Sequence, residues 1–155
     1  PVNPPRAQYQ IECVADPASG KLTGTGTIRF RNTDELPLYR IAFDWSLNLR
    51  KTLGVTIDGV AVPVLKFEER RQVNGPLMYP LPRPLLPDEA TEIAIEFTAP
   101  IQGSPEETAF TLTHWYPALW WGMETHNDYD VKVSAPESYV VAASGRLDTL
   151  IAVGN

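Results

Sequence analysis

Residues 110–145, FTLTHWYPALWWGMETHNDYDVKVSAPESYVVAASG, combine strand-like runs with a dense aromatic loop. The stretch holds three of the four tryptophans and both histidines of the chain. A strand-like run begins at Phe110, and two more, 130–135 and 139–143, are separated by Pro136-Glu137-Ser138. Because aromatic side chains bury large areas and dominate cores and interfaces, we expect the preceding part of the chain to pack against this stretch.

The preceding residues read as a series of short strands. Segments 7–15, 21–32, 41–49 and 92–97 alternate apolar and polar residues, the period of a half-buried strand. Gly24 and Gly26 interrupt one of them, which predicts a bulge or a close approach of another part of the chain. The charged run Glu68-Glu69-Arg70-Arg71 is typical of a solvated surface.

Two further segments carry turn or edge signals. Asp58-Gly59 lies in the middle of 55–64 and predicts a hairpin with a type I′ turn, in which both central residues have positive φ. Five prolines fall within 75–88, which predicts an extended segment or an edge strand, since proline cannot donate to a strand ladder.

Short strands at such spacing, with no helix-period segment of ten residues or more, predict an all-β fold with little or no helix. We expect an antiparallel β-sandwich or saddle-like sheet formed by one domain, residues 1–155. The chain starts at Pro1 and ends within an apolar run, so we expect a domain excised from a longer polypeptide. Whether its last strands are missing is open; if they are, an open sheet edge would promote self-association.

Composition narrows the classes of partner. The formal net charge is −6, which argues against nucleic acid or an anionic membrane, because both require a basic surface. No apolar run approaches the roughly 20 residues of a membrane helix, so we expect no membrane insertion. Cys13 is the only cysteine, so no disulfide can form within the chain, and the compartment stays open. Cys13 shares an apolar face with Tyr9 and Ile11, which favours a buried, inert thiol.

The order of three sequence features resembles one family. The features are the N-terminal pair built on Tyr9, Leu22 and Ile28-x-Phe30; the Ile41-x-Phe43 segment with its following hairpin; and Trp115-Tyr116-Pro117 before Tyr129-Asp130-Val131 and Ser144-Gly145. This order is similar to the N-terminal β domain of zinc aminopeptidases of the aminopeptidase N and leukotriene hydrolase type, most closely to bacterial members. Each motif is weak alone, and their order carries the resemblance.

The resemblance implies a saddle-like β domain that precedes a catalytic domain of the same polypeptide. It implies a zinc ion in that downstream domain, bound through an HExxH helix, and a peptide substrate that this domain contacts only indirectly. This sequence contains no HExxH, so we expect no zinc site, no other cofactor and no catalytic activity in this chain. Domains of this kind often supply a Gln or Glu to the substrate's amino group, and four residues are open for that role: Gln102, Glu106, Glu107 and Glu124.

Other reactive side chains favour structural interpretations. His126, Asp128 and Asp130 alternate and would share one strand face, but they lack the Gly and bidentate Glu of a hard-cation loop, which favours a solvated turn. His114 is expected at a strand end, bonded to the main chain. The pair Ser144-Gly145 lacks the flanking glycines of a nucleophile elbow.

The aromatic loop is the candidate interface or ligand surface, with Trp115, Tyr116, Trp120 and Trp121 as its members. Three interpretations remain open: these side chains close one end of the core, they dock against a following domain, or they bind a ligand such as a carbohydrate or peptide. The last corresponds to a different function, an independent β-sandwich binding module for carbohydrate or protein.

Overall fold

The computed structural model describes residues 6–45, 51–65, 76–101, 110, 112, 114–120, 127–142, 144–146 and 148–149. These residues form nine strands and no helix, as the alternating pattern predicts. The strands are β1 Gln8–Asp16, β2 Lys21–Arg31, β3 Leu38–Asp44, β4 Thr52–Ile57, β5 Val60–Ala61, β6 Leu77–Leu85, β7 Ala90–Pro100, β8 Ala118–Leu119 and β9 Asp128–Ser134. In the described part of the chain, no helix has the length and apolarity that crossing a bilayer needs.

The strands form two sheets that share one core. The larger sheet has the order β5-β4-β7-β2-β1-β9, and the smaller has the order β6-β3-β8. Alternate side chains of the large sheet point to its inner face and are buried, among them Ile11, Ile28, Phe30, Ile93 and Ile95. The small sheet contributes buried residues to the same cluster: Ile41, Phe43, Tyr79, Leu85 and Leu119. Because each buried side chain of this size contributes about 1.5–3 kcal/mol, the sandwich core supplies most of the stabilisation.

The strand pairs are antiparallel with one exception. β1 pairs with β9 in parallel, with Gln8 opposite Asp128 and Val14 opposite Ser134. The predicted all-β fold of mostly antiparallel strands is confirmed, and this edge holds its one parallel pair among the described strands. The parallel pair joins the first strand of the chain to the last described strand.

The Asp-Gly turn is confirmed. Asp58 and Gly59 both have positive φ, 47° and 81°, between β4 and β5. The two glycines of β2 were predicted to mark either a bulge or a close approach of another part of the chain, and the structure shows a close approach. β2 keeps a continuous register with β1 and with β7, so Gly24 and Gly26 mark close approaches, not a bulge. The ring of Phe97 lies over Gly24.

A buried asparagine connects the two sheets beyond β2. Asn32 is fully buried, and its side-chain amide donates to the carbonyls of Leu85 and Leu36, at 2.9 and 3.0 Å. The side-chain oxygen of Asn32, Oδ1, accepts from the N–H of Asp34 at 3.0 Å. These bonds satisfy the buried polar group and fix the turn that carries the chain from the large sheet to the small one.

The described sheet edges differ in how they are protected. β5 and β8 have only two residues each. β6 contains Pro80, Pro82 and Pro84, which confirms the proline-rich segment as an edge strand. β9 has seven residues and no proline, and in the described residues it pairs with β1 alone.

One predicted strand is absent from the described residues, and another begins and ends earlier than predicted. Residues 139–142 form no strand; the N–H of Tyr139 instead donates to the Pro136 carbonyl, at 2.9 Å, in a turn. Val140 is 97% exposed, so the apolar side chains of this segment do not pack against a sheet as the alternating pattern predicted. The segment predicted at 41–49 begins earlier, at Leu38, and β3 ends at Asp44. Residues 46–50 lie outside the described residues, as do 111 and 113 of the run predicted from Phe110.

Candidate functional site

The structure divides the aromatic loop between two sides of the small sheet. Trp115 and Tyr116 are half-buried and pack against the core. Leu119 of β8 is buried beside Phe43 of β3, whereas the next residue, Trp120, is 45% exposed. The N–H of Trp120 donates to the Ala42 carbonyl at 2.8 Å, so the strand-like alternation continues through it and turns its side chain away from the core. Trp121 lies outside the described residues.

Three tyrosines form a cluster at the β1–β9 end of the large sheet, which we call the tyrosine cluster: Tyr9, Tyr116 and Tyr129. Tyr9 stacks on Tyr129 with ring centroids 4.8 Å apart. Tyr116 meets Tyr129 edge to face at 5.5 Å and Tyr9 at 6.2 Å, and Trp115 packs against Tyr116 at 5.1 Å. Edge-to-face and stacked pairs of this kind each add about 0.5–1.5 kcal/mol beyond area burial.

Hydrogen bonds hold the tyrosine cluster in place. The Tyr9 hydroxyl is buried and accepts from the N–H of Leu119 at 2.9 Å, which connects β1 of the large sheet to β8 of the small sheet. The side-chain amide of Asn127 donates to the Tyr129 hydroxyl at 3.2 Å. Asn127 also accepts from the N–H of Ala7 at 3.0 Å through its side-chain oxygen. The cluster is therefore tied to the entry of both β1 and β9.

Two phenols of the cluster, those of Tyr9 and Tyr116, are neutral at ordinary pH. Burial raises the pKa of Tyr9 well above its usual range. Burial, together with the hydrogen bond to Tyr129, also raises the pKa of Tyr116. A phenol held in its protonated form donates and accepts hydrogen bonds but is a poor general base. Tyr9 and Tyr116 therefore have a structural role: their rings pack in the core, and their hydroxyls form hydrogen bonds.

Of the residues considered for metal or substrate binding, the structure describes Asp128 and Asp130, and both are exposed. Asp128 forms an ion pair with Arg6, and Asp130 is exposed on the same face of β9. His126 lies outside the described residues, as do Gln102, Glu106, Glu107, Glu124 and the charged run 68–71. Among the described residues, no group of three or more His, Cys, Asp or Glu side chains is placed to hold a metal ion.

His114 occupies a bend, not a strand end, and has a positive φ of 49°. Its carbonyl accepts from Lys51 Nζ at 3.3 Å, and the same ammonium group lies 4.3 Å from the centre of the Trp45 ring. Lys51 thus holds the bend at His114, which directly precedes Trp115 and Tyr116 of the aromatic loop.

The remaining candidate residues have structural positions. Ser144 and Gly145 are exposed in a second bend, where Gly145 has a φ of 125°. Cys13 is buried as predicted, and burial raises its thiol pKa to about 11.

The outer face of the large sheet is a polar groove that sequence reasoning did not single out. Its volume is about 640 Å³, and its lining includes hydroxyl, carboxylate and ammonium groups: Glu12, Thr23, Thr25, Glu96, Thr98 and Lys132. Lys132, Glu12, Thr25 and Glu96 lie side by side across β9, β1, β2 and β7. The Glu12–Lys132 ion pair spans 3.5 Å, and both side chains are about 70% exposed. The signal available in the sequence was the alternation of β2, in which Thr23 and Thr25 fall on the face opposite the buried Leu22 and Ile28.

A comparison with solved structures relates this fold to known proteins. The chain matches a mutant of a two-domain M1 zinc metallopeptidase bound to L-arginine, with a TM-score of 0.59 and 19% identity. The match covers 92% of this chain and 35% of that protein.

The chain has the β fold of one part of an M1 zinc metallopeptidase.

The resemblance read from the sequence is thus confirmed at the level of the fold. An M1 zinc metallopeptidase from Deinococcus radiodurans, bound to a Tyr-Ser-Ala substrate, matches with a TM-score of 0.46, 20% identity, and coverage of 63% of this chain and 20% of that one. Native yeast LTA4 hydrolase matches with a TM-score of 0.44 and 15% identity, over 60% of this chain and 14% of that one. A scan against models of known protein families finds no match, and a search of curated proteins finds no significant one.

This M1-like chain spans only about a fifth to a third of the metallopeptidases it matches. The names of those proteins include zinc. In the part of this chain that the structure describes, Asp128 pairs with Arg6, Asp130 faces outward, and no third His, Cys, Asp or Glu side chain converges on them.

Proposed function

We propose that this chain is the non-catalytic N-terminal β domain of a zinc aminopeptidase of the M1 type, or of an inactive relative. In this role it packs on a downstream catalytic domain of the same polypeptide and forms one wall of the peptide-binding cleft. The observation that carries the proposal is the match to the two-domain metallopeptidase, which takes in nearly all of this chain and leaves about two thirds of that protein unmatched. The unmatched part is the natural place for a catalytic domain.

The side chains of the described residues support a structural role. Tyr9 and Tyr116 are neutral, the tyrosine cluster is tied to the main chain, and the carboxylates on the outer face are exposed and partly ion-paired. A hydrolase centre needs a nucleophile or activated water with a positioned base, and these groups offer no such pair. The proposal therefore assigns the zinc and the acid–base chemistry to the downstream domain.

The test begins with the coding sequence downstream of Asn155. The proposal predicts an HExxH motif within about the next 200 residues, since that motif supplies two His ligands one helical turn apart and a Glu that activates the zinc-bound water. A downstream sequence without that motif would overturn the active form of the proposal. A motif that lacks only its Glu would identify an inactive relative.

Enzyme assays then separate the domain from the longer polypeptide. The 155-residue chain should release no amino-acid reporter with or without added zinc, whereas the longer polypeptide should do so and lose activity to a chelator. Zinc-dependent release by the 155-residue chain alone would show that the non-catalytic assignment is wrong. The longer polypeptide with its HExxH Glu replaced by Gln is the matched control for contaminating peptidases.

A second candidate function rests on the exposure of Trp120. A 45% exposed tryptophan on the outer side of a sheet can stack on a sugar ring or a peptide, as expected of an independent binding module. Trp115 and Tyr116 pack on the core, so the candidate ligand surface among the described residues centres on Trp120. Binding on a glycan or peptide array that Trp120→Ala and Trp121→Ala abolish, and Tyr39→Ala preserves, would establish this function. No binding on either array would exclude it for those ligands.

A further inference from the structure

The open edge of β9 presents main-chain groups in a known direction. The N–H of Asp128 donates to the Ala7 carbonyl at 3.0 Å, so the main-chain groups of Asp128 face β1. Successive residues of a strand direct these groups to opposite sides, so those of Tyr129, Val131 and Val133 point away from β1. In the described residues no strand pairs with that side. Three residues thus offer both a donor and an acceptor at the edge.

This edge lacks the protection seen at the others. Natural sheets shorten their edge strands or place proline on them, as β5, β8 and β6 do here. β9 is seven residues long and free of proline. Its inner-face side chains are apolar and incompletely covered: Tyr129 is 45% exposed and Val131 is 40% exposed. The edge therefore has the features of a strand that accepts a partner.

The sequence of β9, DYDVKVS, is complementary to itself in the antiparallel direction. When two copies are aligned about a two-fold axis at Val131, Asp130 of each lies opposite Lys132 of the other. Tyr129 lies opposite Val133, an aromatic–β-branched pair, and the two Val131 residues face each other. Opposite charges and aromatic–β-branched pairs are favourable cross-strand neighbours.

The hydrogen-bond directions agree with this register. Val131 and the Tyr129–Val133 pair would occupy the hydrogen-bonded positions, because these residues point their main-chain groups outward. Asp130 and Lys132 would occupy the non-hydrogen-bonded positions, where Cα atoms approach to about 4.5 Å and side chains interact most closely. Both charges lie on the outer face, so the ion pairs form there while the apolar residues meet on the inner face.

We propose that a second copy of this chain pairs with β9, antiparallel and centred on Val131, in a two-fold symmetric dimer. The two six-stranded sheets then form one continuous sheet across the axis. Such an interface uses the same surface of both copies, as closed dimers do. The proposal concerns the 155-residue chain and does not depend on its role beside a catalytic domain. In a longer polypeptide, any segment that adds to β9 would compete with the second copy.

The test measures the mass of the 155-residue chain by sedimentation equilibrium from about 1 to 500 μM. About 0.15 M salt screens the repulsion between two chains of net charge −6, while leaving close ion pairs in place. The wild type should form dimers that dissociate on dilution. Asp130→Lys sets a new lysine against Lys132 of the other copy, and Lys132→Asp sets a new aspartate against Asp130 of the other copy. For each variant alone, the dissociation constant of the dimer should be at least about tenfold higher than for the wild type.

Mixing the two variants provides the decisive measurement. In the mixed pair, both facing positions of the Asp130→Lys chain are lysines and both facing positions of the Lys132→Asp chain are aspartates. A heterodimer should therefore form from two weakly associating chains. Glu96→Lys is the matched control; it makes the same charge change on the same sheet face, four strands from the axis counting β9, and should leave dimerisation unchanged. A wild type that stays monomeric to 500 μM, or variants that dimerise alone as well as together, would overturn the proposal.

Hydrogen exchange tests the register without any substitution. The amides of Tyr129, Val131 and Val133 should gain protection as the wild-type concentration rises, whereas those of Asp130 and Lys132, which face β1, should not change. Concentration-dependent protection located elsewhere in the chain would place the interface on another surface and refute the β9 dimer. This measurement decides the matter even if a variant fails to fold.

Discussion

The ring of Phe97 fills the space over Gly24, so that a Cβ atom on Gly24 would lie only 2.7 Å from Phe97 Cε1. The two residues are direct partners across β2 and β7, and Phe97 is buried. Gly24→Ala should therefore destabilise the fold by about 1–3 kcal/mol, the usual cost of overpacking a core. Urea unfolding followed by tryptophan fluorescence measures this change.

Gly54→Ala is the control for that substitution. Gly54 lies in β4 with its nearest prospective contact 3.8 Å away, on the Glu96 carbonyl. Alanine there fits without strain and restricts the unfolded chain, so stability should stay equal or rise by about 0.5 kcal/mol. Equal losses at Gly24 and Gly54 would show that the Phe97 contact does not set the requirement for glycine.

Tyr9→Phe isolates the hydrogen bond between the two sheets. The variant keeps the ring stacked on Tyr129 but removes the oxygen that accepts from the Leu119 N–H. A buried donor left without a partner costs about 1–3 kcal/mol. Tyr39→Phe, at a tyrosine that is 66% exposed, should change the free energy of unfolding by less than about 0.5 kcal/mol. A Tyr9→Phe variant as stable as Tyr39→Phe would contradict the proposed connection.

Alkaline pH should destabilise the chain partly through Cys13. Burial raises the thiol pKa from 9.0 to about 11, so the unfolded chain loses this proton at lower pH than the folded chain. The contribution is complete below pH 9 and is lost as the pH rises to about 11, a change of about 2–3 kcal/mol. Cys13→Ala should show a shallower decline between those values, measured by urea unfolding across the range.

The comparison of slopes separates Cys13 from the tyrosines. Tyr9 and Tyr116 also have raised pKa values, so both proteins should continue to lose stability above pH 10. Identical pH profiles for the wild type and Cys13→Ala would mean that the thiol titrates normally in the folded chain.

The two halves of the aromatic loop should respond differently to truncation. Tyr116→Ala removes a half-buried ring that contacts Tyr9, Tyr129 and Trp115, and should cost about 2 kcal/mol or more. Trp120→Ala removes a side chain that faces away from the core and should cost less than about 1 kcal/mol. Thermal unfolding of both variants, compared with wild type, checks this order; a larger loss for Trp120→Ala would place that residue in the core.

Local sequence signals were sufficient to predict most strands of the large sheet. Each signal reflects a physical requirement at the residues that carry it. The alternation around Ile11, Ile28 and Ile93 reflects one buried and one solvated face, and Asp58-Gly59 reflects the positive φ of its turn. The same alternation misled at Tyr139 and Val140, because periodicity cannot show whether a neighbouring strand exists.

The candidate site was harder to predict because it depends on pairing over long distances. Trp115 and Trp120 belong to one loop in the sequence, and only the contact of the short strand β8 with β3 turns them to opposite sides. Tyr9 lies beside Tyr129 through the parallel pairing of β1 with β9, and no local pattern specifies that pairing. The placement of Tyr9 beside Ile11 and Cys13 on an inward face was the available signal for the burial of Tyr9.

The parallel pairing of β1 with β9 also affects how the chain folds during its synthesis. Its partners are separated by about 120 positions, so β1 is synthesised well before the strand that pairs with it in parallel. Until β9 is synthesised, the ring of Tyr9 lacks the stacking partner that Tyr129 provides. Translation speed and chaperone binding over this interval should therefore influence yield more than they would in a protein built from hairpins alone.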